Sequence, residues 1–278
     1  MDTTLARKMW RTLEPYHGMI YFAPRAAAAY AELGVEGRAG YFASRAAPMG
    51  PVPAEVVIAT FFNFRPALVA AAVPAAWAVA APEELVAARF GAVDETLRDI
   101  LGDDALAAPE VEEAAVLARR ATEACSVPGR PLYAGHASLA WPDEPHLALW
   151  HAITLLREFR GDGHIAALVM EDLDGCEALV THGSSGDVPP ALLQSTRGWT
   201  DDEWAAATAR LRDRGWLADG AATPLGIEAR DRIESRTDEL AMAPWRALGQ
   251  DDADRLRTLV RPMSKAIATS DVFTNALR

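Results

Sequence analysis

A chain of 278 residues that is 50% apolar and 24% charged can bury one large core or two ordinary ones. Its 39 acidic residues against 27 basic ones leave a net charge of -12, which argues against a general nucleic-acid binder, because such affinity comes from neutralising phosphates. Two cysteines, Cys125 and Cys176, are too few for a disulfide framework or a cysteine-rich zinc site. The apolar run over residues 67–81 is interrupted by Pro74 and is shorter than the roughly 20 residues a membrane span requires. The opening MDTTLARKMW has no apolar stretch of the secretory type, so a cytoplasmic protein is expected.

Helical periodicity dominates from there on. Residues 3–14 and 17–33 predict two helices separated at Pro15 and stopped at Gly34. Helices over 53–72, 83–101 and 109–124 follow. The second half predicts helices at 144–160, 163–171, 189–196, 201–214, 224–248 and 251–268. Strand signals are confined to residues 176–181 and to short flanks of Asp219-Gly220. The fold class is therefore mainly α with minor β.

An internal repeat organises the chain. Val35, Gly37, Arg38 and Tyr41 recur as Val127, Gly129, Arg130 and Tyr133, a shift of 92, and Pro53 and Pro145 keep the same shift. Thr60 then pairs with Thr154, and Phe64-Arg65 with Phe159-Arg160, after small changes of spacing. A period this long indicates a duplicated domain rather than a solenoid. The expected halves are 1–125 and 126–278.

In the second half, Thr200 and Glu203 form a capping box at the start of a helix containing Trp204, Ala207 and Leu211. That helix ends in Arg214-Gly215-Trp216-Leu217, Asp219-Gly220 makes a tight turn, and Thr223-Pro224-Leu225-Gly226 opens the next helix. This order resembles the MarR family of winged-helix proteins. The whole chain is similar to an actinobacterial family of fused, duplicated MarR-like proteins without a settled function, on the stretches Met9 to His17, Arg160 to Leu168, Thr237-Asp238 and Pro244-Trp245. The resemblance implies tandem winged-helix halves folded together as a pseudo-dimer, either a monomer or a homodimer, and it supplies no catalytic residues. It departs from DNA-reading members at the wing, which is Asp-Gly-Ala-Ala without a basic residue, and at the reading helix, which opens Asp201-Asp202-Glu203. Residues 197–249 hold eight Arg and ten Asp or Glu, so Arg210, Arg212 and Arg214 read as an ion-paired, solvated face.

Several polar residues are candidates for chemistry. His151 and Glu158 share a face of the 144–160 helix, with Trp150, Thr154 and Arg157 on an adjacent one, an arrangement in which a carboxylate can tune a histidine for proton transfer. Arg160, Asp162 and His164 lie in a Gly-Asp-Gly stretch that is either a helix corner capped by Asp162 or a polar turn facing the cleft between the halves. His17 sits among aromatic residues and is either a satisfied core histidine or a pocket residue. Arg45, Asn63 and His136 are polar positions in apolar or small surroundings, and they either line the same cleft or bind loop carbonyls. No HExxH, HxH or CxxC spacing occurs, so neither a metal nor a cofactor is expected.

The expected function is small-molecule binding on a MarR-like scaffold that has lost DNA reading. Its ligand would be aromatic or apolar, held among residues such as Tyr16, Tyr21, Phe61, Phe62 and Phe64. If the site also converts its ligand, His151, His164 and Asp162 are the expected acid–base groups, with His17, Arg45, Asn63, His136, Glu158 and Arg160 binding. The alternative is a MarR-type regulator that binds duplex DNA.

Overall fold

The computed structural model describes residues 1–186 and 188–276. The first part of the chain forms α1 (Thr4–Gly18), α2 (Pro24–Glu32), α3 (Arg38–Ala46), α4 (Ala54–Thr60), α5 (Pro66–Trp77), α6 (Pro82–Leu101), α7 (Asp103–Leu106) and α8 (Pro109–Thr122). The second forms α9 (Pro131–Ala137), α10 (Pro145–Met170), α11 (Gly175–Ser184), α12 (Pro190–Arg197) and α13 (Asp201–Asp213), then β1 (Leu217–Ala218) and β2 (Ala221–Ala222). The chain ends in α14 (Pro224–Leu240), α15 (Ala243–Leu248), α16 (Gln250–Ala268) and α17 (Asp271–Ala276). Proline opens α2, α5, α6, α8, α9, α10, α12 and α14, where its missing N–H has no helical partner to lose and its φ is already helical.

The largest core gathers α1, α6, α8, α10 and α16 around Met9, Leu85, Val93, Leu149, Ile153 and Leu256. A second core, under α3, α4 and α5, packs Phe42, Val57, Phe61, Phe64 and Val73. A third belongs to α11, α13 and α14 and holds Cys176, Leu211, Trp216, Leu217 and Ile233. That last unit is a helix-turn-helix with a two-stranded antiparallel hairpin, in which Leu217 pairs with Ala222 and Ala218 with Ala221. Asp219 and Gly220 both have positive φ, 50° and 80°, as a two-residue hairpin turn requires. Thr200 and Thr223 cap α13 and α14 as their sequence context predicts. Gly226 cannot carry a side chain, because a Cβ there would lie 2.2 Å from the Trp216 carbonyl oxygen.

Several predicted elements differ. Residues 176–181 are helical within α11, whose Asp174 and Glu177 form a capping box; a short apolar run reads alike for a buried strand and a buried helix. The predicted helix over 53–72 is broken between α4 and α5, where Arg65 precedes Pro66 and is held at ψ 126°. Pro15 does not end α1, since Leu13, Tyr16 and His17 are all buried around it. The expected corner at Gly161-Asp162-Gly163 is the middle of one 26-residue helix, α10. Two interior glycines cost that helix about 2 kcal/mol in propensity, which burial of Phe159, Ala167 and Leu168 offsets.

The apolar run over 67–81 becomes α5 and the turn into α6, which lie at 104° to each other. Among the described residues no single helix is long and apolar enough to cross a membrane.

Candidate functional site

The last turn of α1 and the 3-10 turn Met19–Tyr21 that continues it place His17 and Tyr21 side by side. His17 is fully buried and stacks on Trp150 of α10, with ring centroids 5.8 Å apart. Its Nδ1 lies 2.9 Å from the Thr154 hydroxyl and its Nε2 lies 2.8 Å from the Tyr21 hydroxyl. Thr154 donates its own proton to the Trp150 carbonyl at 2.9 Å, so Nδ1–H must donate to Thr154 and Nε2 must accept from Tyr21. Burial holds His17 neutral by pushing its pKa well below the usual histidine value.

A second buried group joins α3 to α10. Arg45 grips Glu158 with two bonds, Nε to Oε1 at 3.1 Å and Nη2 to Oε2 at 2.8 Å, and Arg157 adds a third at 2.9 Å. Glu158 is 1% exposed and Arg45 8%. Burial alone would protonate Glu158, but the adjacent Arg157 and Arg45 outweigh it and keep the carboxylate ionised. Arg45 also donates to the Tyr41 hydroxyl at 3.3 Å and lies 4.5 Å over the Phe61 ring.

The partners of these two groups, Tyr21, Tyr41 and Arg157, form the floor of an open cleft of about 680 Å³, with His17, Arg45 and Glu158 buried beneath it. Trp10, Glu14 and Tyr21 line it from the first helix and its end, Arg38 and Tyr41 from α3, Arg157 from α10, and Arg197 from α12. Phe22, Phe64 and Phe273 complete an aromatic rim, with Tyr21 and Tyr41 5.2 Å apart and Phe22 and Phe273 5.3 Å apart. Arg197 packs 4.7 Å from the Phe64 ring centroid, and its Nε has no hydrogen-bond partner. Behind Tyr21, Arg89 is 2% exposed and forms no ion pair among the described residues; it reaches the Tyr21 hydroxyl at 3.4 Å and lies 5.3 Å from the Tyr21 and Trp150 rings.

None of the acid–base or binding residues expected from sequence lines the cleft, whereas the expected rings Tyr21 and Phe64 do; His17, Arg45 and Glu158 lie beneath it, bonded to the lining residues Tyr21, Tyr41 and Arg157. His136 is buried within electrostatic reach of Glu158, with its Nε2 unpartnered, and burial pulls its pKa down to about 3. His151 does not face Glu158. Its ring lies 4.8 Å from Trp141 and 5.8 Å from Phe90, both nitrogens are unpartnered, and burial pulls its pKa down to about 4. Asn63 lies at the α4–α5 turn, where its carbonyl accepts the Trp199 indole at 3.0 Å and docks the helix-turn-helix unit on that turn.

Arg160 and His164 face α14 together, whereas Asp162 faces α9. Arg160 lies 4.7 Å over Trp10 and bonds Asp238 at 3.3 Å and Glu234 at 3.5 Å on α14; the depression beside it, of about 20 Å³, has room for little more than a water. Asp162 accepts the Tyr133 backbone N–H at 2.9 Å and so caps α9 from outside its own helix, while burial raises its pKa to about 6. His164 bonds Thr237 at 2.9 Å, and burial lowers its pKa to about 4. Gly163 leaves space that Arg130 fills: a Cβ there would come within 2.9 Å of the Arg130 guanidinium, which bonds the carbonyls of Phe159 and Leu240. The Gly-Asp-Gly stretch thus locks α9 onto α10 and α14.

Sequence reasoning missed Arg38 and Arg197 as cleft residues, and noted Arg157 only as a neighbour on the helix face. The i,i+4 spacing of His17 and Tyr21 on one helix face was the signal available for their pairing.

The other surface of interest is α13. Its exposed positions are Asp201, Asp202, Ala205, Ala206, Ala209, Arg210, Arg212 and Asp213. Arg210 is engaged by Glu177 at 2.8 Å and Asp174 at 2.5 Å, and Arg214 by the carbonyls of Asp172 and Glu171. Among the described residues Arg212 has no ion pair, on a face of alanines and acids, while the hairpin tip offers Ala218, Asp219, Gly220 and Ala221. Base edges are read by long polar side chains and phosphates are held by cations, and this face is poor in both. Among the described residues no three His, Cys, Asp or Glu side chains group to hold a metal ion.

A family model described as a helix-turn-helix family matches residues 6–274. No curated protein and no solved structure matches the chain at a significant level.

Proposed function

The chain belongs to a helix-turn-helix family, and from that premise we propose that it is a small-molecule-binding protein, with its ligand in the cleft between α1, α3, α10 and α12 and without sequence reading by α13. The observation that carries the proposal is the contrast between the two surfaces. The cleft is concave, about 680 Å³, rimmed by rings and floored by a rigid polar network, as ligand sites are. The exposed face of α13 is alanine and aspartate, with Arg210 ion-paired and Arg212 without an ion pair among the described residues.

The same proposal takes the scaffold as MarR-like and duplicated, with halves 1–125 and 126–278. Two observations support it. Gly37 and Gly129 both adopt positive φ, 56° and 76°, shortly before α3 and α9 begin. The matched ring pairs Tyr41–Phe64 and Tyr133–Phe159 stand at nearly equal separations, 5.6 and 5.4 Å. In the second half Arg130 fills the corner beside Phe159; in the first half its counterpart Arg38 stands in the open cleft beside Phe64.

Acid–base turnover by His151, His164 and Asp162 has no geometric support, since none of the three lines the cleft. The second reading, a regulator that binds duplex DNA, is favoured by the family itself and by the helix–hairpin–helix order of α13, β1–β2 and α14.

A thermal-shift screen of small aromatic compounds, repeated on Tyr41→Ala and Arg212→Ala, separates the two. Stabilising compounds that lose their effect in Tyr41→Ala alone support the cleft. Specific binding to a duplex from near the protein's own coding region, abolished by Arg212→Ala and steeply salt-dependent, would overturn it.

A further inference from the structure

The cleft's charge is opposite to that of the protein around it. In a chain of net charge -12, the cleft lining includes Arg11, Arg38, Arg157 and Arg197 against the single carboxylate of Glu14. Glu14 is already committed, accepting the Trp10 indole at 2.9 Å and pairing with Arg157 at 3.6 Å. Buried beneath the lining are Arg45 and Arg89, bonded to Tyr41 and Tyr21, together with Glu158 between Arg45 and Arg157. Among the described residues Arg38 and Arg197 form no ion pair: Arg38 bonds only the Ser195 carbonyl, at 3.3 Å, and Arg197 bonds only the Thr196 hydroxyl, at 3.1 Å.

Crowding cations with too few anions costs free energy. Burial first, and then repulsion from Arg45, Arg157 and Arg38, pulls the Arg197 pKa below the usual arginine value. A fold keeps such an arrangement when an anion completes it, and arginine's planar fork suits carboxylate, sulfonate and phosphate oxygens. The neighbouring surfaces are rings: Phe64 under Arg197, with Tyr41, Tyr21 and Trp10 along the wall.

Resting on the reading of this cleft as a ligand site, we infer that its ligand is an aromatic anion, with the negative group held between Arg197 and Arg38 and the ring system lying against Tyr41, Phe64 and Tyr21. The floor stays fixed while this happens, because Glu158 and the His17–Thr154 bond immobilise Arg45, Arg157 and Tyr21 before any ligand arrives. Arg197 belongs to α12, which precedes the reading helix of the helix-turn-helix unit, so an anion there bridges that unit to α3.

Two dyes test the inference on the full chain. The probe is 1-anilinonaphthalene-8-sulfonate, and its comparator is N-phenyl-1-naphthylamine, which has the same rings without the sulfonate. Fluorescence titration is expected to show saturable binding of the sulfonate at one site per chain, and at least about tenfold weaker binding of the neutral dye, the worth of one charge-assisted hydrogen bond. Arg197→Gln should weaken the sulfonate about tenfold and leave the neutral dye unchanged, which also shows that the variant is folded. Arg212→Gln, on the exposed face of α13, should change neither, and Tyr41→Ala should weaken both. Equal binding of the two dyes, insensitive to Arg197→Gln but lost in Tyr41→Ala, would overturn the anion inference and leave the cleft standing. No saturable binding of either dye, or binding indifferent to Tyr41→Ala, would overturn the reading of the cleft itself.

Discussion

Lowering the pH from 7 to 5 sets the buried histidines against the fold. His136 and His151 are 2% and 1% exposed, and burial pulls their pKa values down to about 3 and about 4. In the unfolded chain a histidine titrates near 6.5. Below that pH the unfolded state binds protons that the folded state refuses. The stability conferred by neutral burial is therefore complete above about pH 6.5 and is lost as the pH falls towards the folded-state values. Between pH 7 and 5 each of the two costs about 2 kcal/mol, and together about 4, a large share of the ~5–15 kcal/mol typical of a folded domain. His17, displaced in the same direction by burial, adds to the loss.

His151→Leu isolates one contribution. Neither ring nitrogen has a partner, and the ring lies against Trp141 and Phe90, so an apolar side chain orphans nothing. Urea unfolding followed by circular dichroism at both pH values should show the variant losing about 2 kcal/mol less than the parent on acidification. The same pH dependence in both proteins would refute the neutral burial of His151.

Other substitutions probe the floor and the hairpin. Glu158→Gln leaves Arg45 and Arg157 without their shared anion and is expected to cost about 3–5 kcal/mol, seen as a fall in Tm on the order of 10 °C; Arg45→Met with Glu158→Leu should recover the share due to Arg45, leaving Arg157 to Glu14. Gly226→Ala drives a methyl group into the Trp216 carbonyl and should destabilise the helix-turn-helix unit by about 1–3 kcal/mol, read as early proteolysis near residues 215–226. Arg130→Lys cannot bond the Phe159 and Leu240 carbonyls together and should loosen α9, measured as faster amide exchange over residues 131–137.

What was legible in the sequence is the part built from local chemistry. Thr200 with Glu203, Asp219-Gly220 and Thr223 with Gly226 each dictate a cap or a turn within a few residues, so the order of the helix-turn-helix unit could be read directly. Elements decided by tertiary packing were misread. Gly161 and Gly163 look like a helix break until Arg130, 33 residues from Gly163, is seen to need that space. Residues 176–181 look like a strand because burial on all sides erases periodicity. The cleft itself was not legible: Arg45 and His17 stood out as polar residues in apolar or aromatic settings and Glu158 as a helix-face partner of His151, yet all three lie beneath the lining, whereas Arg38 and Arg197 are ordinary surface-like arginines until α3 and α12 bring them together.

The central claim is that the cleft, and not α13, is the working surface. Its most direct measurement is a parallel titration of one protein preparation with 1-anilinonaphthalene-8-sulfonate and with a fluorescent duplex from near its own coding region, at low and at moderate salt. The account predicts saturable dye binding that depends on Tyr41 and Arg197, and duplex binding that is weak and disappears with salt. Tight duplex binding that survives moderate salt and is abolished by Arg212→Ala, with dye binding indifferent to the cleft variants, would contradict it.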